Sequence, residues 1–365
     1  MILVTQFIKS NSIVSMLTQQ SFVAIDRFLP FIQPMKAILQ PFYQHLDSQQ
    51  VTFQITRDSR YQKKVSIQSL ENEHFIDSHL KVEITKLSSC REIHFQTPKT
   101  QFILQFHGKD ESLDRLIPHL AYALTLTTML SPHKVKKVRV HYYLLDSKRV
   151  TDNDNYFDKE EVNGGACWSS PEECEFSVWR KEELLKVSIH ELIHGLSYDY
   201  KQDTQDIVRH YQQKYGVTSL KMNTFEAYTE IFAELIHCYV LAKLGNQVIP
   251  RVKAFTLFQA YVGLEHQFSE LQASKVLRLR DKEPDVNKHT NVVAYYVIKL
   301  ELYRDLKQFL RYCQTHNQSF LKITDTDRYF DYLKQLQKIK IKDYKVTGYL
   351  EITTRMTCLE LNLFT

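Results

Sequence analysis

The segment Leu184 to Gly195 constrains this chain more than any other. It is apolar apart from Lys186, Ser188 and the trio His190, Glu191 and His194. A run of this kind reads as a buried helix. In a helix His190 and His194 lie one turn apart on the same face. Two imidazoles and a carboxylate are unfavourable in an apolar setting without a partner. A metal ion is the simplest one, because two neutral imidazoles one turn apart can grip it while Glu191, the next residue along, leans over an open coordination position. The competing reading is a pair of core histidines satisfied by hydrogen bonds to Glu191 and to backbone carbonyls.

A site of this H-E-x-x-H kind needs a third protein ligand. The extension H-x-x-G-x-x-H, which would supply a third histidine, requires Gly at 197 and His at 200, where this chain has Ser197 and Tyr200. The remaining route is a carboxylate from a later helix. Glu226, Glu230 and Glu234 recur at i, i+4 and i+8, on one helical face. Three stacked like charges on an apolar helix predict a cation nearby.

With Glu226, Glu230 and Phe232 in the frame Glu-x-x-x-(Asp/Glu)-x-Phe, the chain resembles the gluzincin zinc metallopeptidases, the thermolysin group in particular. The resemblance implies Zn²⁺ held by His190, His194 and Glu226, with Glu230 bonded to a ligand histidine. A shift of one turn, with Glu230 the ligand and Glu234 its partner, fits less well because residue 236 is Ile. The similarity spans roughly Glu175 to Leu244. It departs from thermolysin at Phe225, where that group has Asn, so no substrate-binding residue is carried over. It also implies an antiparallel edge strand for the substrate, for which Glu175 to Arg180 is the candidate, a segment that reads equally as an ordinary strand of the sheet. A looser similarity, in Asn163-Gly-Gly, Trp179 to Glu183, Lys186 to Glu191 and Asn291 to Tyr296, is to uncharacterised metallopeptidases of large double-stranded DNA viruses.

The 365 residues allow one large or a few small domains, and 43% hydrophobic with 24% charged residues is the composition of a globular chain. A net charge of +5 gives no strong nucleic-acid signal. No stretch approaches the ~18 apolar residues of a membrane span. Six cysteines without a C-x-x-C pair fit a reducing compartment, and the polar residues after Ile8 argue against a secretory signal. The localisation expected is cytoplasmic, the host cytoplasm or virion if the chain is viral.

Periodicity divides the chain into an N-terminal helical segment (1–46) interrupted by Pro30, Pro34 and Pro41, a β-rich module (47–110) and a final unit (111–365). The module's strands are expected at Val51–Thr56, Leu80–Thr85, Glu92–Gln96 and Gln101–Phe106. A buried helix is expected over Leu113–Leu130, a strand over Val135–Leu145, and helices from Lys181 almost to Lys338. Lys134, Lys136, Lys137 and Arg139 read as a solvated strand end rather than a phosphate-binding stripe. The fold class expected is α+β: a zincin-like catalytic domain, with a mostly antiparallel sheet before the metal helix and a helical C-terminal half closing the cleft.

The chemistry implied is zinc-dependent hydrolysis of a polypeptide substrate, with Glu191 as the general base and Glu230 orienting a ligand histidine. An oxyanion donor is sought among Tyr295, Tyr296 and His289. Adjacent helical residues diverge by ~100°, so only one of the two tyrosines can face the site. Two alternatives stand beside this: a structural or virion component that keeps zinc but has lost turnover, and a protease of DNA-bound proteins with a basic surface around its cleft. Oligomeric state is not legible in the sequence.

Overall fold

The computed structural model describes residues 36–71, 73–110, 112–133, 135–151, 157–248, 250–344 and 346–359. The expected helices before residue 36 lie outside these residues, as does Lys134. Among the described residues six strands form one open sheet: β1 (Gln54–Gln62), β2 (Ser89–Gln96), β3 (Gln101–His107), β4 (Lys137–Tyr143), β5 (Gly165–Ser169) and β6 (Glu173–Val178), in the spatial order β1-β2-β3-β4-β6-β5. The fold is a mixed α/β one of the general α+β kind.

The sheet is less antiparallel than expected. β1-β2, β2-β3 and β5-β6 are antiparallel, but β3-β4 and β4-β6 are parallel. The reason is a crossover: helix α3 (Leu113–Met129) carries the chain from the end of β3 back to the start of β4. β3 and β4 therefore pair across residue 110, and the β-rich module expected to end there shares its sheet with the rest of the chain.

Two local expectations are corrected. Leu80–Thr85 is not a strand but lies in helix α2 (Ser78–Lys86), opened by Asp77, whose carboxylate accepts from the His79 amide at 3.0 Å. Leu80 and Ile84, four apart, are buried, while Val82 between them is 51% exposed, the signature of a helical and not a strand period. Pro41 lies inside α1 (Lys36–Asp47) instead of ending a helix. That helix docks through Phe42, whose ring centroid is 5.7 Å from that of Phe232.

One sheet face packs its buried side chains, among them Phe102, Leu104, Phe106, Val138, Val140 and Tyr142, into the main core with α3 and with α5 (Leu184–Gly195). The other carries a smaller cluster around Leu70, Ile76, Leu80, Ile84, Tyr143 and Trp179. The one-turn helix α4 (Lys159–Val162) precedes β5, and beyond α5 the chain is mostly helical: α6 (Gln205–Tyr215), α7 (Thr224–Val248), α8 (Ala254–Leu279), a π-helical segment (Val293–Ile298), α9 (Lys299–Arg304), α10 (Leu306–His316) and α11 (Thr326–Gln335). Lys136, Lys137 and Arg139 pair with Glu172, Glu173 and Glu175 of the β6 region, so the basic strand end is neutralised across strands. Among the described residues no helix is long and apolar enough to cross a membrane.

Candidate metal centre

Helix α5 is apolar on nearly every side, so packing between the sheet and α7 buries every residue of it except the partly exposed His194. Its N-terminal neighbour Glu183 sits at φ 58°, a left-handed conformation that costs a non-glycine residue of order 1 kcal/mol. That conformation is held from two sides. The Glu183 carboxylate pairs with buried Arg149 and accepts from the amides of Met356 (3.0 Å) and Thr357 (2.7 Å). The α7 N-terminus is fixed by Asp203, whose carboxylate accepts from the Thr224 amide at 3.0 Å and from its hydroxyl at 2.8 Å. The first turn of α7 carries Glu226.

These two helices bring three donor atoms into one triangle. His190 Nε2 and His194 Nε2 are 3.1 Å apart, and Glu226 Oε2 lies 3.2 Å from the first and 3.1 Å from the second. The other ring nitrogens are committed: His190 Nδ1 donates to Glu230 Oε2 at 2.8 Å, and His194 Nδ1 donates to Asp199 Oδ2 at 2.6 Å. A proton on each Nδ1 leaves a bare lone pair on each Nε2, so the triangle consists of lone pairs facing a carboxylate oxygen. Such an arrangement is repulsive unless a positive charge fills it.

The surrounding carboxylates favour positive charge at this point, whether a proton on a ring or a metal ion. Burial disfavours charge on both rings, yet Glu226 and Glu230 raise His190, and Asp199 with Glu226 raises His194 well above the usual histidine range. Burial likewise works against the Glu226 carboxylate, but the two histidines draw it down to about 2. A tetrahedral ion with bonds of about 2.0–2.1 Å keeps its ligand atoms about 3.3 Å apart, close to all three edges seen here. The donor set of two imidazoles and one carboxylate is of the kind that suits zinc. Among the described residues three groups converge on this point, and the opposite side opens to a cleft.

The expectation that three stacked carboxylates need one cation is refined. Glu230 Oε1 accepts from the Lys186 ammonium at 2.7 Å. Glu234 pairs with Lys299 and accepts from the Tyr303 hydroxyl at 2.8 Å. Two of the three are thus neutralised by buried lysines, and Glu226 is left to the histidines. Its second oxygen, Oε1, accepts from Asn291 Nδ2 at 3.1 Å, and Asn291 Oδ1 in turn accepts from Asn223 Nδ2 at 2.6 Å.

The cleft has a volume of about 590 Å³, and His190, Glu191, His194 and Glu226 all line it. Its wall includes Gly165, Ala166, Cys167 and Ser169 of β5. Of the two readings of Glu175–Arg180, the ordinary sheet strand holds and the edge strand does not. β6 pairs on both sides, with β4 and β5, whereas β5 lies at one of the two edges of the sheet and is antiparallel to β6. A short strand beginning at glycine carries too little apolar period to stand out in sequence.

Glycine is required where β5 meets the helix. A Cβ at Gly165 would lie 2.5 Å from Glu191 Oε1, so the Glu191 carboxyl reaches from the helix to the first residue of the edge strand. Likewise a Cβ at Gly195 would lie 2.0 Å from Cys174 Sγ, so only glycine lets the helix end pack on the β5-β6 pair. Burial raises the Glu191 carboxyl above its usual range despite the opposing pull of both histidines, which makes it a better proton acceptor.

Of the three oxyanion candidates, Tyr295 and His289 line the cleft and Tyr296 does not. The Tyr295 ring centroid is 6.0 Å from that of His190, and its hydroxyl is 3.5 Å from Asn291 Nδ2. Tyr296 is buried in the core, edge-on to Phe157, and donates its hydroxyl to the Thr354 carbonyl. The divergence expected of neighbouring residues thus separates the pair. Both sit in the π-helical segment, whose widened turn departs from the regular helix read from sequence.

Sequence reasoning missed Asp199, Lys186, Lys299 and the role of Asn291. Asp199 sits in a loop where no periodicity marks it. Lys186 and Lys299 occupy apolar helices, and a buried lysine among apolar residues is the signal that could have announced a carboxylate partner. No family model matches the chain, and no curated protein or solved structure is significantly similar to it.

Proposed function

We propose that the protein is a zinc-dependent metallopeptidase of the gluzincin type, built on a zincin-like fold. The observation that carries this reading is the triangle of His190 Nε2, His194 Nε2 and Glu226 Oε2, with Glu191 beside it on the floor of a cleft walled by an outermost strand. The resemblance of the Glu226–Phe232 frame to gluzincins agrees with that geometry. In this reading zinc supplies Lewis acidity toward the scissile carbonyl and acidifies a water molecule.

The chain's own residues supply the rest. Among the described residues no strand pairs with the outer edge of β5, which offers backbone N–H and C=O groups to an extended peptide that adds as a further strand. Glu191 accepts one proton from the attacking water and returns it to the amine as the C–N bond breaks, so acid and amine leave with protons in balance. Glu230 and Asp199 fix the tautomer and aim of the two rings. Asn291 holds the free oxygen of Glu226. Tyr295 is the donor available to the carbonyl oxygen as it gathers negative charge.

The test is hydrolysis of a diverse peptide pool by protein with a measured zinc content. Cleavage should scale with zinc, reach its maximum near one equivalent per chain, and disappear with a chelator. Full zinc without cleavage would favour the alternative of a structural component, against which the cleft beside the three ligands argues.

The two tyrosines give a sharper internal check. Tyr295→Phe should lower turnover by roughly 10 to 1,000-fold with zinc content intact, the scale of losing one oxyanion donor. Tyr296→Phe should leave turnover near wild type and cost about 1 kcal/mol of stability through its lost hydrogen bond. Steady-state kinetics and thermal melts on both variants decide it. The opposite pattern would remove Tyr295 from the mechanism.

A further inference from the structure

Three lysines, Lys201, Lys221 and Lys288, line the cleft and are exposed to solvent. They belong to three different connections: Lys201 follows α5, Lys221 lies between α6 and α7, and Lys288 precedes the π-helical segment. Neighbouring His289 lines the cleft as well, with its ring 3.9 Å from Asp158.

The carboxylates of the same cleft are turned the other way. Asp199 is on His194, Glu226 on both rings, Glu230 on His190 and Lys186, and Glu191 reaches to the start of β5. Among the described residues no carboxylate forms an ion pair with any of the three rim lysines. Elsewhere this chain pairs its surface lysines freely, as in Lys136–Glu172, Lys334–Asp206 and Lys342–Glu270. The cleft mouth is therefore a place where positive charge from three loops gathers uncompensated. Like charges lining a concave mouth focus their field and attract the opposite sign.

We infer that the substrate is a polypeptide carrying acidic residues around the bond to be cut. The inference rests on the peptidase reading and deepens it. The floor of the cleft and the β5 edge recognise peptide backbone, which is the same in every sequence. The rim lysines act on side chains, where they can select. An acidic segment settles opposite charge among the three ammoniums, while a basic one is repelled, so selection works by attraction and by exclusion together.

The experiment uses three peptides of one sequence frame whose residues flanking the scissile bond are Glu, Gln or Lys. Hydrolysis is measured on the zinc-loaded protein. Binding of fluorescently labelled Glu and Lys peptides is measured by anisotropy on the Glu191→Gln protein, with and without zinc. At low ionic strength the Glu peptide should exceed the Lys peptide by about tenfold or more in kcat/KM and in affinity. Raising the salt to about 0.5 M should shrink that ratio towards one, because screening then acts within ~5 Å.

The triple variant Lys201→Glu, Lys221→Glu, Lys288→Glu should keep its zinc content and invert the preference, the Lys peptide now exceeding the Glu peptide in kcat/KM and in affinity. Equal rates for all three peptides with equal binding of the Glu and Lys peptides overturn the inference and leave the peptidase reading standing. No cleavage of any peptide, with Glu-selective binding retained, overturns the peptidase reading and leaves the rim's preference established. A single-stranded oligonucleotide that displaces the Glu peptide at lower concentration than the unlabelled peptide itself would assign the rim to nucleic acid and overturn the inference.

Discussion

His190→Ala and His194→Ala are expected to strip the protein of metal, from near one equivalent per chain to below about a tenth after dialysis, since each removes one of three donors from a site with no replacement at hand. Glu226→Gln should do nearly the same, because its amide keeps only a weaker neutral oxygen. The groups behind the ligands should matter less. Glu230→Gln and Asp199→Asn keep all three donor atoms but loosen a ring, and such losses weaken metal binding by roughly 10 to 100-fold. Elemental analysis alongside a competition titration with a chromophoric chelator gives both numbers. Metal retained in full by either histidine variant would sink the assignment. A larger loss for Glu230→Gln than for Glu226→Gln would move the third ligand one turn along α7. Thermal melts should agree: metal at a hundredfold excess over its Kd adds about 2.7 kcal/mol to the wild type and nothing to the histidine variants.

Glu191→Gln should separate chemistry from architecture. Glu191 has no part in the triangle, so zinc content should stay at wild-type level, while turnover should fall by roughly 100 to 10,000-fold for want of a proton acceptor. Stability should not fall. Burial raises this carboxyl's pKa on folding, so holding it ionised above its unfolded pKa costs stability, and a neutral amide of the same shape removes that cost. The melting temperature of the metal-free variant should therefore equal or exceed that of the metal-free wild type. Turnover surviving this change would refute the mechanism. A loss of zinc or a clear drop in melting temperature would mean Glu191 has a structural role in place of a catalytic one.

Sequence alone determined the local facts. The apolar run from Leu184 to Gly195 had to be a buried helix, and helical geometry then put His190 and His194 on one face. The spacing of Glu226, Glu230 and Glu234 put three carboxylates on another face, and the step between Tyr295 and Tyr296 split their directions. The first two follow from a period of 3.6 residues, which each segment carries within itself, and neighbouring side chains diverge in the wider π turn as well.

What sequence could not determine was everything that depends on which segments meet. Whether Leu80 and Ile84 belong to a strand or a helix was settled by the Asp77 cap and by the core those two side chains share, because a six-residue alternating run satisfies both periods. The edge strand moved from the segment before α5 to Gly165–Ser169 because sheet order is a property of long-range pairing, and β6 found partners on both sides. The division of labour among the three glutamates was decided by Lys186 and Lys299, which lie far from them in sequence and take up two of the three charges in a buried setting where an unpaired carboxylate would be costly. Periodicity is written in neighbours along the chain. The compensation of buried charge is written in neighbours across it, and only the tertiary structure brings those together.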